Sequence, residues 1–139
     1  MNVDSRIVQV LFVNPDVPSN KWTHGITFRQ SAEEAFHAVF ISSDGSWGHF
    51  ARGGSTNNEV VSELGQANFD TTPGGRNLLT LSFKGLGGVL FINDIQVADL
   101  DLSFPPALGP GEVRVMSGMF PTDELTGEST IFAGFTVYK

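Results

Sequence analysis

An all-β fold, two antiparallel sheets packed face to face as a sandwich or jelly roll, is predicted by three observations on this sequence. Short apolar runs, many alternating with polar residues, recur from end to end. They are cut by clusters of Gly, Pro, Asn and Asp, and about ten of them fit in the chain. No stretch carries a sustained helical period. Alternation with period two marks strands that bury one face, and frequent turn residues mark antiparallel connections.

The elements follow in order. Ile7 to Val13 is the first expected strand, and the Pro and Asn residues of 14–20 break it. Trp22 to Gln30 sets Trp22, His24, Ile26 and Phe28 on one face, against Thr23, Gly25, Thr27 and Arg29 on the other. Ala35 to Ser43 and Ser46 to Arg52 form a hairpin around Asp44-Gly45, a strong tight-turn dipeptide. Glu59 to Leu64 is a short strand, and Thr72 to Gly75 a turn. A second hairpin joins Asn77–Lys84 to Gly88–Asn93. Asn93-Asp94 then turns the chain into Gln96–Leu102. After the Pro- and Gly-rich crossover of 103–111, Glu112–Phe120 and Thr130–Tyr138 are the last strands, with Phe135 expected in the core. No linker divides residues 1–139, so one β-sandwich domain is expected.

Composition narrows the partners. The net charge is −7, and the Lys and Arg residues are scattered rather than clustered, which disfavours nucleic acid and anionic membrane. The absence of cysteine excludes disulfides and thiolate metal sites. No apolar run approaches the roughly 20 residues of a membrane helix, and residues 1–4 lack the basic-then-apolar pattern of a signal peptide. Twelve Phe and two Trp supply bulky core material.

A set of segments also resembles a known family. In order they are Trp22-Thr-His-Gly-Ile-Thr-Phe-Arg29, Phe40-Ile-Ser-Ser-Asp-Gly-Ser-Trp47, Gly75-Arg-Asn-Leu-Leu79, Gly88-Val-Leu-Phe-Ile-Asn93 and Phe132-Ala-Gly-Phe-Thr-Val137. Together they resemble the concanavalin A-like lectin/glucanase superfamily, in particular compact laminin-G-like bacterial domains. Asp94 stands where that group usually carries Gly. The resemblance spans roughly residues 8 to 138 and rests on turns, core aromatics and strand ends. It implies a sandwich of two curved sheets, in a group of sugar-binding modules, protein-interaction modules and glycosidases, and it favours an extracytoplasmic setting.

Each candidate chemistry has a structural counterpart. His24 and His37 share faces with apolar residues, and no pair among His24, His37 and His49 has close ligand spacing, so zinc finds little support. Calcium prefers oxygen donors; Asp94, Asp99 and Asp101 offer them, as does the cluster Asp123, Glu124 and Glu128, or these are solvated loop acids. No other cofactor is implied. No nucleophile elbow appears. A glycosidase needs two opposed carboxylates; Asp99-Leu-Asp101 is the nearest match to the glucanase run and lacks its glutamates. Sugar binding needs an aromatic platform with fixed polar groups. Trp47 beside Asp44 and His49 is the first candidate and Trp22 the second, with Arg29, Arg52 and Asn93 as donors; alternatively both indoles pack inward. Leu86, Phe104, Leu108, Met119 and Phe120 are apolar residues of a protein-docking surface or of folded-back loops. The sequence therefore favours a non-catalytic, lectin-like module for a glycan or extracellular polymer. A protein-interaction subunit comes second and a sugar-processing hydrolase third.

Overall fold

A computed structural model describes residues 5–16, 21–30, 35–53, 60–104, 112–117 and 131–138. They form ten strands: β1 (Ser5–Val13), β2 (Thr23–Gln30), β3 (Phe36–Ser42), β4 (Ser46–Arg52), β5 (Val60–Gln66), β6 (Arg76–Lys84), β7 (Gly87–Ile92), β8 (Ile95–Asp101), β9 (Glu112–Ser117) and β10 (Ile131–Tyr138). Two five-stranded sheets result, ordered β10-β1-β6-β7-β8 and β5-β4-β3-β2-β9. Neighbouring strands run antiparallel. The sandwich read from alternation is present, and strand bounds agree within a few residues.

The core lies between the sheets. Val8, Val10 and Phe12 of β1, with Leu79, Leu81 and Phe83 of β6, face Trp22, Ile26, Phe28, Val39 and Ile41. Phe28 and Phe83 meet across the layer with ring centroids 5.0 Å apart. Burying each such side chain contributes about 1.5–3 kcal/mol. β3 departs from simple alternation. Its burial pattern shows five consecutive buried residues, so Ala38 and Phe40, on the outer face, are as enclosed as Val39 and Ile41. One cause is visible in the neighbouring strand. Phe40 lies over Gly48, where an added Cβ would come within 2.2 Å of its ring.

Turn chemistry fixes the register. At Asp44-Gly45 the aspartate Oδ1 accepts from the Ser46 amide at 3.0 Å and hydroxyl at 2.6 Å. Asn93 and Asp94 both take positive φ, 52° and 66°, as a two-residue type I′ turn requires. Asn and Asp tolerate that region better than other non-glycine residues. In β10 the register slips: Val10 pairs with Phe135 but Phe12 with Phe132. The extra residue is taken up beside Gly134 at φ 90°, so two phenylalanines three apart both sit opposite core residues of β1. Phe135 is nevertheless 40% exposed, because β10 is an edge strand. Phe135, expected in the core, is therefore only partly enclosed.

Candidate functional site

The two tryptophans are interior. Trp22 is 3% and Trp47 7% exposed, and both belong to the core cluster. Trp22 stacks on His24 with centroids 4.6 Å apart. Trp47 lies over Gly65 of β5, its cross-strand partner. An added Cβ there would sit 2.5 Å from the indole Nε1. The bare glycine backbone lets the indole fold inward, so neither residue offers the exposed platform considered from the sequence.

The polar companions divide among separate places. Asp44 is exposed at the β3–β4 turn, and its hydrogen bonds from Ser46 hold its carboxyl below the usual range. His49 is buried; His37 Nδ1 and His49 Nε2 are 3.0 Å apart. Arg29 is also buried, at φ 53°, with its guanidinium 5.1 Å from the Phe83 ring centroid. Asn93 accepts from the Leu78 amide at 2.8 Å and donates to Asn77 Oδ1 at 3.0 Å, which makes it a turn anchor in the other sheet. Arg52 is half-buried on the outer face of β4. The structure thus does not bring the seven residues into one cleft.

All three histidines are enclosed. Burial lowers the His24 pKa to about 4. Burial lowers that of His37 to about 3, helped by His49 and Arg29 and opposed by Asp101. Burial also lowers His49, against Asp101. Among the described residues no three His, Cys, Asp or Glu side chains gather to hold a metal. Asp123, Glu124 and Glu128 lie outside the described residues. Asp99 and Asp101 sit on edge strand β8, where Asp99 accepts from Gln96 and Asp101 from the Ser103 amide.

Two features escaped the sequence. One is an amide network: Asn14 Nδ2 donates to the carbonyls of Asp70 and Thr72, while Asn77 accepts from the Asp70 amide and donates to its carbonyl. It ties the 67–75 connection to β1 and β6. The other is the outer face of β3 and β4, where Phe36 and Phe50 are half-buried with centroids 5.9 Å apart at a 33° tilt. Arg52 lies directly across from Phe36, and Ser62 of β5 is directly across from Phe50. Alternation gave no hint of this pair, because both faces of β3 are apolar.

Exposed apolar residues collect elsewhere, at the β1–β10 edge: Ile7, Phe132, Phe135, Val137 and Tyr138 are each 39–50% exposed. Of the loop residues weighed for docking, Leu86 is exposed and Phe104 half-buried. Leu108, Met119 and Phe120 lie outside the described residues.

No protein-family model matches the chain, and no curated protein matches its sequence. Solved structures do match its fold. Sheep galectin-11, solved with glycerol, superposes with a TM-score of 0.72 over 97% of this chain and 90% of its own, at 7% identity. The carbohydrate-binding module CBM66 from Bacillus subtilis gives 0.67 over 99% and 76%, at 10% identity. A family 16 glycoside hydrolase endo-glucanase from Bacteroides ovatus gives 0.60 over 81% and 54%, at 9% identity. The chain has the concanavalin A-like jelly-roll sandwich fold.

Proposed function

We propose that this chain is a non-catalytic glycan-binding module whose contact surface is the outer face of β3 and β4 around Phe36, Phe50 and Arg52. The observation that carries the reading is the match of nearly the whole chain to a carbohydrate-binding module and a galectin. The local chemistry supports it. A half-buried aromatic pair offers a surface for the apolar face of a pyranose. Arg52, one cross-strand step from Phe36, brings a fan of N–H donors to the hydroxyls at its rim. A glycan array on the purified protein, followed by titration of Phe50→Ala and Arg52→Ala with the best ligand, tests it. Each variant is expected to lose at least about tenfold in affinity, about 1.4 kcal/mol, with its melting temperature little changed. No binder on the array, or full affinity in both variants, ends the reading.

A protein-docking role is the second reading, favoured by the apolar strip along β1 and β10. Folded protein that binds a hydrophobic dye, with the signal lost in Phe132→Ser/Val137→Ser, would support it. Folded wild-type protein that leaves the dye dark would remove its basis.

A further inference from the structure

All three histidines of the chain lie in the layer between the sheets, and two of them form a unit. His37 of β3 and His49 of β4 stack with an interplanar angle of 14°, centroids 5.3 Å apart, and approach Nδ1 to Nε2 at 3.0 Å. Such a contact needs a proton on one nitrogen and a lone pair on the other. It survives with both rings neutral and fails when both are protonated, since two N–H groups then face each other.

The surroundings oppose even the first added charge. His37 Nε2 is fully enclosed and has no hydrogen-bond partner among the described residues. Phe28 of β2 stacks on His37 at 5.2 Å, and Phe83 of β6 in turn packs on Phe28. β2 adds the buried Arg29 guanidinium, a second cation. Among the described residues, the acid whose field reaches the pair is Asp101 of β8, in the opposite sheet; it is exposed and already accepts from Ser103.

We propose that His37 and His49, with Arg29 and Asp101 around them, form an acid-operated latch between the two sheets. In the neutral state the imidazole pair closes the sandwich behind Phe28, which packs on Phe83 of the opposite sheet. Among the described residues, an imidazolium there meets one remote carboxylate and a nearby guanidinium. It is relieved when the rings reach solvent, so β3 and β4 part from the opposite sheet. The sign is fixed by the closed state's preference for neutral rings. Solvent-exposed histidines take up protons below about pH 6.5, so falling pH feeds the open state and rising pH restores the closed one. This inference stands apart from the glycan reading, because no ligand enters it.

The test uses urea unfolding of the full chain, followed by tryptophan fluorescence, at pH 7.5 and pH 5. His37→Gln/His49→Gln keeps an amide pair without a titratable ring. It is expected to lose at least half of the wild-type drop in urea midpoint between the two pH values. Asp101→Asn alters an exposed side chain and removes the sole described carboxylate in range. It is expected to fold normally and to begin opening at a higher pH than wild type. Ring resonances of His37 and His49 should shift together with loss of the β3 and β4 amide signals. An unchanged drop in the double variant, an opening pH in Asp101→Asn equal to wild type, or rings titrating near 6.5 in protein with intact β3 and β4 signals would each overturn the latch. Should the double variant fail to fold, Asp101→Asn and the ring titration decide.

Discussion

Replacing His24 with Phe is expected to make the protein markedly less sensitive to acid. His24 is 0% exposed, lies between the rings of Phe12 at 4.9 Å and Trp22 at 4.6 Å, and among the described residues has no hydrogen-bond partner on either nitrogen. Its pKa falls from 6.5 to about 4 through burial. The folded state therefore resists a proton that the unfolded state accepts. Stability is complete above about pH 6.5, declines as pH falls, and reaches its floor near pH 4. At about 1.4 kcal/mol per pKa unit, the full loss from this residue is about 3 kcal/mol, most of it already present at pH 4.5. Phe keeps the stack and removes the titration. Shedding two unpartnered nitrogens gains about 1–3 kcal/mol each at any pH, while the larger ring costs about 1–3 kcal/mol in overpacking. Those contributions cancel in the comparison between pH values. Urea unfolding of wild type and variant at pH 7.5 and 4.5 gives the four stabilities. The pH-dependent loss should be smaller in His24→Phe by about 2–3 kcal/mol. An identical loss in both proteins would mean that His24 reaches water in the folded state.

Trp47→Ala should cost about 3–5 kcal/mol, as expected for a buried aromatic packed over Gly65, read as a lowered urea midpoint; a near-neutral result would return the indole to the surface. Phe135→Ala should cost well under the about 3–5 kcal/mol of a core phenylalanine, whereas Phe12→Ala, at 0% exposure, should cost that full amount; thermal melts of both variants compare them. Asn77→Ala strands the amide of Asp70 and the Nδ2 of Asn93, and should cost about 2–4 kcal/mol with hydrogen exchange rising first at 67–75.

The sheets were legible because alternation and turn dipeptides are local signals. Asp44-Gly45 and Asn93-Asp94 mark their turns in the sequence, and the hairpins close there. The site was far less legible. Alternation puts Trp47, His49 and Ala51 on one face of β4, but does not say whether that face is inner or outer. The answer depends on Gly65, eighteen positions away, which leaves room for the indole. Phe36, Ala38 and Phe40 are as apolar as His37, Val39 and Ile41 are buried, so β3 looks two-sided and its outer aromatic pair stays hidden. The spacing of Phe132 and Phe135 reads as opposite faces until a bulge beside Gly134 brings both to one side.

The place of β1 has a kinetic consequence. It is held between β6 and β10, partners more than sixty and more than a hundred residues distant, whereas β2, β3, β4 and β5 pair in simple succession. Loop-closure entropy favours the nearby pairings. As the chain leaves the ribosome, the β2–β5 meander is able to knit at once, while β1 waits unpaired for strands not yet made. Pulsed hydrogen exchange during refolding should therefore protect β3 and β4 amides before those of β1.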